Sequence, residues 1–144
     1  MRVTTQGEYG LRCLARLAAN KGDKPISVST LAGEEDLSRD YVEQLLLRLR
    51  RAGIVRSTRG VQGGYKLSRK PEDVGVGDVI RALEGKIFEI PCKRRPGGCA
   101  KKQDQTLLPL WSDLERRIAE YLDGMSLAEV IEMVSRELGH PCCE

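Results

Sequence analysis

The spacing of apolar and polar positions predicts three short helices in the first third of the chain. The first covers residues 7–20, where apolar side chains recur with the helical period. A turn follows, and Ser29 is placed to cap a second helix over residues 30–35. Ser38 is placed to cap a third, longer helix, which ends at Gly53. Two helices separated by a few residues are typical of a helix-turn-helix unit.

The third predicted helix has an apolar side and a polar side. The apolar side, which we expect to face a core, consists of Tyr41, Leu45, Leu46 and Leu49. The other side carries long polar and charged side chains, namely Arg39, Asp40, Glu43, Gln44, Arg48 and Arg51. We therefore expect this helix to pack by one side and to offer the other to solvent or to a ligand.

A β-hairpin is predicted directly after the third helix. Residues 54–58 and 65–67 have the composition of short strands, and the glycine-rich segment 60–64 connects them as a turn. A hairpin in this position after a helix-turn-helix unit is a wing. The predicted fold class is therefore mainly α, with a β-hairpin wing on a helix-turn-helix unit.

The middle of the chain is predicted to be partly irregular. A short helix over residues 78–83 ends at Gly85, whereas residues 91–105 follow no period and are rich in Pro, Gly, Lys and Cys. A connection of that length without secondary structure is usually functional or disordered.

The last third of the chain predicts two helices and a short tail. Residues 107–122 regain the helical period, and the capping-box pair Ser126 and Glu129 begins a further helix that runs to Leu138. The first of these helices has a stripe of large apolar residues, consisting of Leu110, Trp111, Leu114, Ile118 and Leu122. A small domain cannot cover such a stripe, so we expect the helix to form a dimer interface.

Composition and charge narrow the function. The chain has 144 residues, of which 40% are hydrophobic and 31% charged. We expect neither export nor a membrane span, because no apolar segment follows the first seven residues and no apolar run reaches 18 residues. Five cysteines, an odd number, favour a reducing compartment, so a cytoplasmic protein with no membrane partner is expected. Residues 1–70 carry 14 Lys and Arg against 7 Asp and Glu, a charge of +7, whereas residues 71–144 carry −4. The basic half is the candidate for binding a polyanion.

Helix, turn, helix, wing and basic charge together predict double-stranded DNA as the partner. Polar side chains at the start of the third helix are placed to meet base edges in the major groove, namely Ser38, Arg39, Tyr41, Glu43 and Gln44. The cations Arg48, Arg51, Arg56 and Arg59 could neutralise phosphates. The glycines of the wing tip, Gly63 and Gly64 among them, would let Arg59 approach the minor groove. A solvated basic face is the alternative for any one of these elements alone.

Several segments closely resemble the IscR/NsrR/CymR family of bacterial winged-helix transcription regulators. They are residues 1–10, 37–45, 56–65, 79–85, 110–111 and 122–127, and the resemblance covers about residues 1–138. It implies a homodimer in which the long C-terminal helix of each chain crosses to its partner, and binding to pseudo-palindromic operators. It also implies, for many members, an iron-sulfur cluster held in the loop before that helix.

The cysteines follow the pattern of cluster-binding members only in part. Cys92 and Cys99 match the first two of the three loop cysteines in those members, but Gln105 occupies the third position. Leu108 stands where one branch has a histidine ligand, and Arg12 offers no histidine either. A 2Fe–2S or 4Fe–4S cluster at the Cys92/Cys99 loop would therefore need other ligands.

Three groups could complete such a site. Glu8 matches an acidic ligand that some members supply from the first helix of the other subunit; its alternative role is an i, i+4 ion pair with Arg12. The tail pair Cys142 and Cys143 could fold back, or could be exposed or mutually oxidised without a role. His140, also in the tail, is more often simply solvated.

These considerations divide the chain into four parts and favour one function over three others. The parts are a DNA-binding domain at 1–85, a cysteine-containing sensor loop at 86–106, dimerisation helices at 107–138 and a Cys-Cys tail at 139–144. The favoured function is a dimeric regulator whose operator binding is controlled by a cluster at the loop. The alternatives are a cluster-free regulator controlled by a protein partner or by thiol oxidation, and an adaptor whose binding ignores salt. An enzyme is not expected, since no Ser/His/Asp set or phosphate-cradling motif is present.

Overall fold

The computed structural model describes residues 4–20, 22, 24–88 and 107–138. The described elements follow the predicted order, with a 3₁₀ turn in addition. They are α1 (Thr5–Ala19), α2 (Val28–Glu35), α3 (Arg39–Arg51), β1 (Val55–Thr58), β2 (Gly64–Leu67), the 3₁₀ turn (Pro71–Asp73), α4 (Val76–Glu84), α5 (Leu108–Asp123) and α6 (Leu127–Leu138). The predicted loop at 91–105 and the tail at 139–144 lie outside the described residues.

The helix-turn-helix unit is formed by α2 and α3, and its caps are local. Ser38 caps α3 as predicted, accepting a hydrogen bond from Tyr41 N at 3.3 Å. The predicted cap of α2 is wrong by two residues, because Ser27 and not Ser29 accepts from Thr30 N, at 3.1 Å. Ser27 has the extended backbone that an N-cap requires, so the helix begins at residue 28 and Ser29 lies exposed within it.

The core lies where α1, α2 and α3 meet the start of the wing. Its fully buried side chains include Leu14, Leu31, Leu46 and Ile54. On α3 the buried stripe begins with Val42, which is fully buried, whereas the predicted core residue Tyr41 is only half-buried. Positions 42, 45, 46 and 49 follow the i, i+3, i+4, i+7 pattern, and Tyr41 lies at the edge of this stripe.

The wing is a two-stranded antiparallel hairpin with a third backbone contact. Val55 pairs with Leu67 and Thr58 pairs with Gly64 at its two ends. Ile26, in the segment before α2, forms a bridge to Tyr65 through hydrogen bonds of 2.9 and 2.8 Å. A Cβ on Gly64 would collide with the Ile26 carbonyl, so glycine permits this close approach. The hairpin is thereby fixed to the helix-turn-helix unit.

The segment that begins α4 is joined to the connection between α5 and α6. Val76 N donates to Met125 O at 2.9 Å, and Leu127 N donates to Val74 O at 2.8 Å. Arg81 on α4 forms an ion pair with Asp123 at 2.7 Å, and its hydrogen bond lowers the pKa of that carboxyl. The connection between α5 and α6 is thus tied to α4 and the segment before it by backbone hydrogen bonds and an ion pair.

Helix α5 ends one residue later than predicted, and none of its residues is buried in the single chain. Leu110 and Tyr121 are more than half exposed, at 56% and 60%. The capping box of α6 is confirmed: Ser126 N donates to Glu129 Oε2 at 2.7 Å, and Glu129 N donates to Ser126 Oγ at 3.2 Å. The backbone hydrogen bond from Ser126 lowers the pKa of Glu129. In the described part of the chain no helix is long and apolar enough to cross a membrane.

Candidate nucleic-acid interface and sensor residues

The first two turns of α3 present a continuous polar surface. Arg39, Glu43 and Gln44 are exposed, as is the capping residue Ser38. The Ser38 hydroxyl accepts one bond from the helix backbone and can still donate its own proton to another partner. Side chains of this length at the N-terminal end of a recognition helix can reach base edges in a major groove.

Tyr41 differs from the other predicted DNA contacts because it also packs against α1. Its ring meets that of Tyr9 edge to face, with centroids 6.1 Å apart and an interplanar angle of 87°. The guanidinium of Arg12 lies 5.5 Å from the centroid of the Tyr9 ring. Tyr41 therefore connects the start of α3 to α1, and its contact with DNA stays a prediction.

Arg48 is held by contacts within the chain. Its Nη1 donates to Gln6 Oε1 at 2.5 Å and to the carbonyl oxygen of Leu83 at 2.7 Å. These bonds tie α3 to the start of α1 and the end of α4. Arg48 has a structural role that the periodicity of α3 did not indicate, and its contact with phosphate stays a prediction.

The wing presents Arg56 and Arg59 to solvent. A turn closed by the bond from Gly63 N to Gly60 O, at 2.9 Å, follows Arg59. A Cβ on Gly63 would collide with the Thr58 carbonyl, so glycine is needed at the tip, as it is at Gly64 next to Ile26. Both glycines have a structural reason to be present, and any approach of DNA to them stays a prediction.

Sequence reasoning missed Ile26, which anchors the wing, and Glu35, which is buried. The Glu35 side chain is 2% exposed and accepts from Arg12 Nε at 2.6 Å and from Arg16 Nε at 2.7 Å. A buried carboxylate needs such compensation. Glu35 stands at the C-terminal end of α2, where an acidic residue looks exposed by local pattern, so only the packing of α1 on α2 reveals this role.

Of the predicted sensor ligands, the structure describes only Glu8. Cys92, Cys99, Cys142 and Cys143 lie outside the described residues. Among the described residues no three of His, Cys, Asp and Glu lie close enough to hold a metal ion. A site that uses Cys92 and Cys99 would lie at least in part outside the described residues, so its ligand set stays a prediction.

Glu8 is exposed at the edge of a groove between α1 and α6. The groove has a volume of about 450 Å³ and an apolar lining that includes Leu11, Val130 and Val134. The alternative i, i+4 pair of Glu8 with Arg12 is not among the ion pairs of the described residues, since Arg12 binds Glu35 instead. The Glu8 carboxylate lies at this groove, and its role as a ligand stays a prediction.

Cys13 is part of the core, as its place beside Tyr9 and Leu17 predicted. The side chain is fully buried. Burial, with a smaller contribution from the nearby charge of Glu35, raises the pKa of the thiol to about 11. A buried thiol with a raised pKa is a poor nucleophile and a poor metal ligand at neutral pH, and Cys13 contributes to the packing of the core.

Comparison with known proteins gives a consistent result over almost the whole chain. The family model described as "Rrf2: Iron-dependent Transcriptional regulator" matches residues 3–133. The transcriptional regulator IscR of Aliivibrio salmonicida is 35% identical over 138 residues, covering 96% of this chain and 80% of that protein.

Two solved structures agree with this chain in fold. The structure of T. potens IscR has a TM-score of 0.72 and 36% identity, covering 95% of this chain and 90% of that one. The structure of CymR, the global cysteine regulator of B. subtilis, has a TM-score of 0.70 and 34% identity, covering 90% of this chain and 95% of that one. The family match, the shared winged helix-turn-helix fold and the regulators among its relatives agree, and this chain belongs to the Rrf2 family of DNA-binding transcriptional regulators.

Proposed function

We propose that this chain acts as a homodimer that binds a pseudo-palindromic operator and is controlled at the Cys92/Cys99 loop. The observation that carries the DNA-binding part is the exposed polar surface at the start of α3 beside a wing anchored through Ile26 and Tyr65. The dimer is supported by α5, which buries no residue in the single chain. Two-fold symmetry would place the two recognition helices about 34 Å apart, one DNA turn.

In this proposal the start of α3 reads bases in the major groove and Arg59 enters the adjacent minor groove. Glu43 can accept hydrogen bonds from base edges, and Gln44 can both donate and accept. Arg56 and Arg59 supply charge for phosphates and for the negative potential of a narrow minor groove. The two strands and their bridge to Ile26 hold the wing, so Arg59 is presented at a fixed distance from α3.

Changing Arg59 to alanine is expected to lower operator affinity by about 1–3 kcal/mol and the salt slope by about one. The reason is the loss of one cation from the DNA surface, at a side chain that is exposed. The measurement is fluorescence anisotropy with a labelled duplex at several salt concentrations. Arg136→Ala is a matched control, because Arg136 is an exposed arginine on α6. An unchanged affinity and slope for Arg59→Ala would remove the wing from the interface.

For control, we propose an iron-sulfur cluster bound by Cys92 and Cys99, with Glu8 of the other chain or the Cys142 and Cys143 pair completing the ligand set. With Glu8 the set has three ligands and a fourth would still have to come from the tail, whereas the Cys142 and Cys143 pair would supply both missing ligands. The exposure of Glu8 on the groove, with Arg12 bound to Glu35, supports the ligand role over the ion pair. Such a cluster, when bound, would be sensitive to oxidation and to loss of iron. A ligand shared between subunits would then couple that loss to the placement of the two wings.

The Cys92→Ala variant is expected to contain no iron, because one of only two loop thiolates is lost. Iron and sulfide per chain, with a visible spectrum of anaerobically purified protein, measure this. Glu8→Ala and the double change Cys142→Ala with Cys143→Ala then show which group completes the site, with Glu72→Ala as a control at another exposed carboxylate. A spectrum unaffected by either change would contradict the proposed ligand set.

The second candidate is a cluster-free regulator controlled by thiol oxidation or by a protein partner. Gln105 in place of the third loop cysteine favours it, as does the similarity to CymR. Wild-type protein that holds no iron, but whose DNA affinity changes with the oxidation state of its thiols, would establish thiol control in place of the cluster.

A further inference from the structure

One large apolar side chain of the wing is left wholly in solvent. Val61 has a relative exposure of 107%, whereas the other large apolar residues that are exposed in the described chain lie on α3, α5 and α6 or at the start of α5. It is the first central residue of the turn between Gly60 and Gly63. Turn positions usually carry Gly, Pro, Asn, Asp or Ser, and rarely a β-branched residue. Burial in this chain gives no reason for a valine here.

The shape of the tip does not depend on Val61. Gly60 has a φ of +116°, which favours glycine, and Gly63 sits against the Thr58 carbonyl where a Cβ would collide. These two glycines and the bond between them fix the turn. A substitution at Val61 can therefore test its contacts with a ligand without changing how the wing folds.

Val61 and Arg59 together give the tip the chemistry of a minor-groove reader. Both side chains are exposed, two residues apart, and one is a cation while the other is a compact apolar group. Narrow A·T-rich minor grooves attract arginine by their negative potential. Proteins that enter this groove frequently place apolar side chains beside such cations.

We propose that Val61 lies against the minor-groove edge of the base pairs contacted by the wing and selects A·T pairs there. This inference rests on the proposed operator binding. A G·C pair differs in that groove by the N2 amino group of guanine, which projects into it and is a hydrogen-bond donor. An isopropyl group would meet this amino group and cover it without offering an acceptor. An A·T pair has no projecting group at that place, so the valine can approach it.

Selection of duplexes from a random library, with wild-type protein and with Val61→Ser, tests the assignment first. We expect wild-type sites to be enriched in A·T pairs at positions outside those read in the major groove, and the Val61→Ser sites to lose that enrichment. The positions so identified then define three duplexes for anisotropy: the selected one, one with G·C pairs at those positions, and one with inosine in place of each guanine. Inosine lacks the N2 amino group, so it presents the minor groove of an A·T pair.

For wild-type protein the G·C duplex is expected to bind about tenfold more weakly, and inosine to restore most of the affinity. The Val61→Ser variant should bind the three duplexes within about twofold of one another. Gln62→Ala, a change at the neighbouring exposed residue, should keep the wild-type discrimination, and Arg59→Ala should weaken binding to all three duplexes.

Two results would overturn the assignment of Val61. One is equal discrimination by wild type and Val61→Ser; the other is an inosine duplex that binds as weakly as the G·C duplex. Failure of the wild-type protein to bind any selected duplex would overturn the proposed function itself, and the assignment with it.

Discussion

Replacing Leu110 with glutamate is expected to convert the proposed dimer into monomers and to lower operator affinity at least about a hundredfold. Leu110 is 56% exposed in the single chain, so the change removes little from the protomer's own packing. In a dimer formed through α5, the new carboxylate would be taken from water without a partner. A monomer also loses the gain that comes from binding two linked half-sites, which is about 10²–10⁴ in affinity.

Sedimentation velocity at micromolar concentration, together with anisotropy on a selected duplex, measures both effects of the Leu110→Glu change. Arg116→Gln is the matched control, because Arg116 lies on the opposite, charged side of α5 and pairs with Glu120 at 2.9 Å. The control should remain dimeric with unchanged affinity. A Leu110→Glu protein that stays dimeric would exclude this side of α5 from the interface.

Replacing both Arg12 and Arg16 with methionine is expected to lower the free energy of unfolding by about 3–5 kcal/mol. Their Nε atoms contact the Glu35 carboxylate at 2.6 and 2.7 Å, and the Glu35 side chain is only 2% exposed. Methionine keeps the apolar stem of each arginine but leaves a buried charge without compensation. Urea denaturation followed by circular dichroism gives the value.

A third change, Glu35→Met, should recover most of that loss, because it removes the charge that the two arginines compensated. Arg116→Met serves as a control for losing an arginine from a solvent-exposed ion pair and should leave the free energy of unfolding nearly unchanged. A cost below about 1 kcal/mol for the Arg12 and Arg16 double variant would show that the Glu35 ion pairs add little to stability.

Features decided within a few residues could be predicted from the sequence. Ser38 caps α3 and Ser126 with Glu129 caps α6 because each cap needs only the next three residues. Gly53 ends α3 with a φ of +74°, a conformation that glycine adopts without strain. The wing followed from strand composition around a glycine-rich turn. Even here the predicted cap of α2, Ser29, was wrong, because Ser27 has the extended backbone of an N-cap and accepts from Thr30 N.

Features decided by distant segments could not be predicted in the same way. Glu35 is buried because α1, about 20 residues earlier, brings two arginines to it. Ile26 meets Tyr65 only once the hairpin folds back on the segment before α2. The helical period places Arg48 on the polar side of α3, yet its guanidinium donates to Gln6 at the start of α1 and to Leu83 O at the end of α4.

In the candidate site, too, the positions set by local sequence could be predicted and those set by distant segments could not. The polar start of α3 and Arg59 are exposed, as their positions on a capped helix and a turn predicted, and their contacts with DNA stay predictions. The ligand set of the sensor depends on how segments from different parts of one chain, or of two chains, come together. Neither the spacing of Cys92 and Cys99 nor the periodicity of α1 determines that arrangement.

The central claim, that the Cys92/Cys99 loop controls DNA affinity, is tested most directly by one titration. Anaerobically purified protein is titrated against a labelled operator duplex at fixed salt, before and after its iron is removed and its thiols are oxidised. We expect the Kd to change at least about tenfold between the two states, and Cys92→Ala protein to give one Kd under both conditions. An identical Kd for the two states of the wild-type protein would contradict control at this loop.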